Sequence, residues 1–404
     1  ALGGHQKWKP AWGNPEPRKS YDVVIIGAGG QGLATAYYLA KNHGMDNVAV
    51  LDKGWLGGGN TGRNTTIVRS NYFWPESTNF YDYSLQMYEK LSSELNYNIM
   101  LSQRGILLLV HSEIQRQIFE RWSNSLRLQG VDSEWWDQDR CREYAPILNT
   151  SSSARFPVLG GYAQKRGGVV RHDAVAWGYA RAADNLGIDI IQGCPVSAIN
   201  KSGNRVTGVK TPYGVIKADK VVSCVAGHSS VVGAMAGVDL PIRSQTLQAM
   251  VSEPVKPVLD GAVGSASVHC YISQSDRGEI LMGGSADMHP SYAQRGGMAT
   301  LEETMAAVTE LFPVFSRLKL MRQWAGIVDI APDSSPIIGK TPVTGFYIST
   351  GWGTGGFKSI PAGGTTLAYT VANDRPHELI QPFGLDRFVS GNTVDEAASA
   401  GIPH

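Results

Sequence analysis

The sequence predicts an α/β protein, a Rossmann-like dinucleotide-binding domain interrupted by an inserted, discontinuous α+β domain. Three observations carry this. A continuous apolar run, residues 21–26, leads into Gly27-Ala28-Gly29-Gly30-Gln31-Gly32 and then a helical stretch, 33–40. A second strand, 47–51, ends in Asp52. Two more glycine clusters, Gly57-Gly58-Gly59-Asn60-Thr61-Gly62 and Gly351-Trp352-Gly353-Thr354-Gly355-Gly356, stand at the junctions of other periodic segments. A β-branched run without alternation suits a parallel strand buried on both faces, and glycine at junctions suits tight turns and close backbone approach.

Downstream, a helix is expected over 173–186, followed by strands at 188–191, 196–199, 205–209, 215–217 and 220–225. A further strand at 346–350 feeds the third glycine cluster. Segments 79–159 and 233–326 mix polar-faced helices with alternating strands such as 104–110, and read as two pieces of one inserted substrate domain. The dinucleotide-binding domain then comprises 18–78, 160–232 and 327–390, with an arm at 1–17 and a tail at 391–404.

Composition narrows the function. The 404 residues include 36 Lys+Arg and 35 Asp+Glu, a net charge of +1, which argues against nucleic acid as a partner. No run approaches about 18 apolar residues, so no membrane span is expected. The start lacks the apolar stretch of a secretory signal. Four scattered cysteines suggest neither a disulfide scaffold nor a metal site, and a cytoplasmic protein is the expectation.

In the first cluster Gly27 permits the tight turn, Gly29 the approach to a pyrophosphate and Gly32 close helix–strand packing. Gly30 and Gln31 open a helix whose N-terminus favours phosphate. Asp52, with Lys53 beside it, stands where a carboxylate meets an adenosine ribose, and favours FAD or NAD over NADP. The other two clusters favour a deeply held FAD. Asn60, Thr61, Arg63, Asn64, Thr65 and Thr66 form a loop that cradles its far half and brings Arg63 to the pyrophosphate. Gly353, Thr354, Gly355 and Gly356 approach from the other end, with Val196 and Gly227 as further cofactor contacts.

Ile25-Ile26-Gly27-Ala28-Gly29, Val222-Ser223-Cys224-Val225-Ala226-Gly227, Asp333-Ser334-Ser335-Pro336-Ile337-Ile338-Gly339 and Gly351-Trp352-Gly353-Thr354-Gly355-Gly356-Phe357-Lys358 follow one another along the chain. In that order they resemble the D-amino-acid oxidase superfamily of FAD amine oxidoreductases. Within it the chain is most similar to the β subunits of bacterial heterotetrameric sarcosine oxidases. The resemblance implies an FAD-binding domain of the D-amino-acid oxidase type.

It also implies that Arg69 and Lys358 hold the carboxylate of sarcosine, whose oxidation gives glycine and formaldehyde or a folate one-carbon adduct. Structural ion pairs or contacts to cofactor phosphates are the plainer alternative for these two cations. Tyr271 is a weaker catalytic candidate, equally readable as a core tyrosine. Competing functions are another FAD-dependent secondary-amine or D-amino-acid dehydrogenase without FMN, and a flavin-binding subunit with no catalysis of its own.

Two departures from the monomeric relatives matter. Gly326 stands where they attach FAD through cysteine, and 60–66 contains no histidine, so FAD is expected to be noncovalent. Met282 aligns with the lysine that promotes reaction with oxygen, so electrons need another exit. His172, after a Gly-Gly turn and before a helix, is the residue that the resemblance matches to covalent FMN; a surface or capping histidine is the alternative. Lys165, Arg166 and Arg171 could meet the FMN phosphate or be solvated charges. The resemblance further implies α, γ and δ subunits, with folate chemistry and an NAD site elsewhere in the complex. The arm over 1–20 either wraps a neighbour or is a disordered tail.

Overall fold

The computed structural model describes residues 10–396. Strand Ser20–Ile26, helix Gly30–His43 and strand Val48–Leu51 form the opening unit. Val23, Val24 and Ile25 are completely buried, as a strand covered on both faces requires. Ser20–Ile26 pairs in parallel with Val48–Leu51 and with Gly214–Ser223. Asp189–Ile191 and Phe346–Thr350 extend the parallel sheet on either side, and Ile337–Lys340 closes one edge antiparallel. The expected breaks near 218–219 do not occur. Gly214–Ser223 is one strand, carrying an antiparallel hairpin of Arg205–Thr211 and Ala198–Ser202 on its outer part.

Helix Gly30–His43 lies against helix Ile360–Asn373 at very short range. A Cβ at Gly30 would overlap the Ile360 side chain, and one at Gly364 would overlap Ala34. Glycine here sets the distance between two helices far apart in the chain.

The second sheet runs Leu320–Ile330, Arg243–Pro254, Glu279–Pro290, Cys270–Gln274, Ala262–Ser265, Ile106–Val110, Gly160–Gln164 and Glu134–Asp137. One face packs Leu107, Leu109, Met250, Ile272 and Met282 against Val308 and Leu311 of helix Met298–Leu311. The other face looks back at the first sheet. This pairing moves two sequence-derived boundaries. Gly160–Gln164 hydrogen-bonds to Ile106–Val110, and Leu320–Ile330 stays in the second sheet through Ile330. Glycines at 160–161 and the apolar pair Ile327-Val328 just past 326 hid both limits.

The arm binds its own chain where it is described. Gly13 N donates to Asp184 Oδ1 at 2.8 Å, Gln192 N donates to Asn14 Oδ1 at 2.7 Å, and Trp12 packs on the first core. Polar side chains exchanging bonds with the adjacent helix and strand order a segment that lacks a core of its own. Residues 1–9 of the arm and 397–404 of the tail lie outside the described residues. Among the described residues no helix is long and apolar enough to cross a membrane.

Candidate flavin and substrate site

A cavity of about 740 Å³ opens between the two sheets, at the carboxyl ends of the parallel strands, where open α/β sheets bind ligands. Gly27, Gly29, Gly30, Gln31, Asp52, Lys53, Asn60, Thr61, Arg63, Asn64, Thr65, Val196, Gly227, Gly353, Thr354 and Gly356 all line it, together with Arg69, Tyr271 and Lys358. Residues drawn from the three glycine clusters therefore share one space.

The first turn is held tightly. Gly27 has φ +109°, and a Cβ there would run into the Cys224 carbonyl, so only glycine fits without strain. Gly32 packs its bare Cα against the Gly27 carbonyl and does not itself reach the cavity. Asp52 accepts from Ala28 N and Gly54 N, both at 2.8 Å, so its carboxylate also braces the turn. Lys53 Nζ meets His228 Nε2 at 2.9 Å. Gln31 Nε2 donates to the Gly356 carbonyl and Ser359 Oγ, each at 2.9 Å, tying the first cluster to the third.

Arg63 lines the cavity, but its guanidinium donates to the carbonyls of Gly58 and Gly59 and to Gln294 Oε1. Burial and the charge of Arg322 lower its pKa. Thr66 lies behind the wall in left-handed conformation, φ +72°, its N–H donating to Asn64 Oδ1 at 2.6 Å. Gly355 also lies behind the wall, where a Cβ would overlap the Tyr81 hydroxyl.

Arg69 and Lys358 face the cavity from different elements. Arg69 Nη1 donates to the carbonyl and Oδ1 of Asn71 at 2.6 and 2.9 Å. Lys358 is 8% exposed, and its Nζ donates to the Thr354 carbonyl at 3.0 Å. Burial, then the nearby Arg69 charge, holds the Lys358 ammonium well below the ordinary lysine range. Among the described residues neither cation forms an ion pair with a carboxylate. Buried Lys358 and half-buried Arg69 bring two cations, neither salt-bridged, to one cavity, a binding place for an anion.

Tyr271 sits on the cavity floor between Gly264 and Gly283 of the flanking strands, and its hydroxyl accepts from Thr65 Oγ1 at 3.1 Å. Burial raises its pKa. Met282, paired with Ile272, is fully buried in the core on the far face of that sheet. The expectation that Met282 stands over the cofactor is therefore wrong by one residue of register, and cross-strand pairing puts Gly283 on the Tyr271 side. Gly326 does line the cavity, close to Asn60 Oδ1.

His172 does not line this cavity. It is the first residue of helix His172–Asn185, half-buried, with Nδ1 buried and without a hydrogen-bond partner among the described residues. Burial lowers its pKa. A two-stranded ribbon, Ile67–Val68 against Gly168–Val169, connects its approach to that of Arg69. Lys165 pairs with Glu134, Arg166 with Asp82 and Glu89, and Arg171 with Asp173.

Asp329 escaped the sequence reading. It is 1% exposed on the cavity wall, accepts from Thr350 Oγ1 at 2.8 Å and Gly351 N at 2.6 Å, and its carbonyl accepts from Gly353 N at 2.8 Å. Burial pushes its pKa up to about 6. The signal was a lone acid in an otherwise apolar stretch, Ala325 to Ala331.

Comparison with known proteins agrees with this geometry. The family of FAD dependent oxidoreductases (DAO) matches residues 22–370. Sarcosine oxidase subunit beta of Arthrobacter sp. is 51% identical over 395 residues, 97% of each chain. Its counterpart from Rhodobacter capsulatus is 51% identical over 404 residues, 100% of this chain and 97% of that one. The crystal structure of L-proline dehydrogenase from P. horikoshii matches with a TM-score of 0.87 at 26% identity, covering 93% of this chain and 99% of that one. Glycine oxidase from Geobacillus kaustophilus shares the fold, with a TM-score of 0.82 at 21% identity over 92% of this chain and 99% of its own. The chain therefore belongs to the FAD-dependent oxidoreductases of the D-amino-acid oxidase type, within the family of sarcosine oxidase β subunits, and is an FAD-dependent amine oxidoreductase.

Proposed function

We propose that this protein demethylates sarcosine oxidatively to glycine and formaldehyde, or to a folate one-carbon adduct, as the β subunit of a complex with α, γ and δ chains. The observation that carries the reading is the pair Arg69 and Lys358, two cations at one cavity that form no salt bridge among the described residues. Each charge about 4 Å from a substrate carboxylate contributes on the order of 4 kcal/mol at an effective dielectric near 20, before desolvation. Clamped by its carboxylate, a small secondary amine has one orientation in the cavity, and orientation is the protein's main catalytic contribution. Loss of a hydride from the N-methyl carbon leaves an iminium, which water converts to formaldehyde and glycine.

The residues present fit FAD. At Gly353 a Cβ would stand in open space and at Gly29 it would meet only Thr61 Oγ1, so the cradle leaves room for a ligand, and Gln31 Oε1 is buried without a partner among the described residues. Gly27 to Gln31, Asp52, Asn60 to Thr65 and Gly353 to Gly356 would hold it, noncovalently because residue 326 is glycine. FMN, joined through His172, fits a ring that burial keeps neutral and therefore nucleophilic. The three nearby cations already face carboxylates, so a phosphate there takes its countercharge from a companion chain. Bound FAD supplies the hydride acceptor, and FMN a carrier delivering electrons to oxygen.

The test is anaerobic addition of sarcosine, dimethylglycine or D-proline to the flavin-loaded complex. Sarcosine should bleach the flavin fastest; preference for another substrate favours a different amine dehydrogenase, and no bleaching favours a non-catalytic subunit. Acid denaturation should leave flavin attached to the chain and not to His172→Ala. A colourless precipitate from the unaltered chain excludes FMN at His172.

A further inference from the structure

Arg69 depends on a short turn. Besides its bonds to Asn71, its guanidinium lies 4.6 Å from the centre of the Tyr72 ring, which stacks on Tyr81 at 3.7 Å. Residues 71–74 must be fixed for these contacts to aim the guanidinium, and residues 395 and 396 fix them. Glu396 is 4% exposed, and its carboxylate accepts from Trp74 N at 3.0 Å and Phe73 N at 3.3 Å. The Asp395 carbonyl accepts from Trp74 Nε1 at 2.7 Å, and the Val394 carbonyl accepts from Ser335 Oγ at 2.5 Å. Helix Pro75–Glu94 begins directly after Trp74, whose own side chain provides no cap. Glu396 supplies an acceptor there from 322 residues away, an anion at a helix N-terminus.

Glu396 and Arg69 also share a space. A cavity of about 50 Å³ is lined by both, with Asn71, Tyr72 and Tyr81. It adjoins the main cavity, since Arg69, Trp352 and Thr354 line both. Burial raises the Glu396 pKa, while the two backbone N–H groups and Arg69 favour its charged form.

We propose that Glu396 is a positioning residue for the carboxylate site, holding the 71–74 turn so that Arg69 faces the substrate. The inference rests on the reading that Arg69 binds the substrate carboxylate. It assigns the 394–396 segment a part in substrate affinity rather than in turnover.

The test compares Glu396→Gln, Glu396→Ala and Arg69→Lys in the assembled, flavin-loaded enzyme. Sarcosine kinetics are read beside the Kd of acetate, followed by the flavin spectrum. Glu396→Ala should raise KM and Kd together by about tenfold, the loss of a charge-assisted hydrogen bond, with kcat within about twofold. Glu396→Gln keeps an acceptor for Trp74 N and should show about a threefold rise; it decides the matter if the alanine variant does not fold. A purely structural role would lower Tm and leave both constants unchanged. Unchanged KM and Kd in the folded Glu396 variants, with Arg69→Lys impaired, overturns the positioning role. Unchanged constants in Arg69→Lys overturn the clamp on which it rests.

Discussion

Asn60 and Ile327 exchange two hydrogen bonds across the cavity rim, Asn60 Nδ2 donating to the Ile327 carbonyl at 2.6 Å and Ile327 N donating to Asn60 Oδ1 at 2.9 Å. One side chain thus acts like a strand partner, joining the second glycine loop to the second sheet. Close by, Trp324 Nε1 donates to the Arg63 carbonyl at 2.8 Å, so the loop is pinned at both ends.

Asn60→Ala removes both bonds and leaves a backbone N–H and C=O unpaired. A loss of about 2 kcal/mol is expected, measured by urea unfolding, together with weaker retention of flavin on dilution. Unaltered stability and retention would show that the loop is held elsewhere.

Lys358 should make carboxylate binding pH-dependent. Its pKa is held below 10.5 by burial and Arg69, and a carboxylate binds the ammonium form. The Kd of acetate should therefore rise with pH through the free enzyme's Lys358 pKa, before an ordinary lysine would titrate. Lys358→Arg stays charged and should flatten that rise, while Lys358→Ala should raise the sarcosine KM by about a hundredfold. In the unliganded chain the unfolded state binds the extra proton between the two pKa values, so stability rises with pH across that window. An acetate Kd independent of pH would sink this assignment.

Asp329 carries the opposite sign. Its pKa is raised from 3.8 to about 6 by burial. Its stabilising contribution is fully present below 3.8 and is lost as pH rises through about 6. The stability difference between the unaltered apoprotein and Asp329→Asn should therefore shrink as pH rises from about 4 to about 7. A difference that grows over this range would mean that the bonds from Thr350 and Gly351 outweigh burial.

The parallel core was legible because its strands are short apolar runs bounded by glycine: 346–350 matches Phe346–Thr350, and helix 173–186 differs from His172–Asn185 by one residue at each end. The approach of Arg69 and Lys358 to one cavity was legible because each follows a glycine cluster, whereas Tyr271 read equally well as a core tyrosine. Side-chain register in the second sheet was not. Met282 and Gly283 differ by one residue and face opposite ways, a choice made by cross-strand pairing rather than local pattern. Asp329 and Glu396 were missed because their roles depend on distant partners, Thr350 and Gly351 for one and the Phe73–Trp74 backbone for the other.

The close approach of helices Gly30–His43 and Ile360–Asn373 has a consequence for biosynthesis. The fingerprint helix emerges from the ribosome long before the partner that sets its depth, and Gln31 cannot reach Gly356 until that late segment exists. A nascent chain that has passed its first βαβ unit still lacks the opposite wall of the cradle. Flavin capture is therefore expected only once helix Ile360–Asn373 has been made, and chains interrupted before that helix should not retain cofactor.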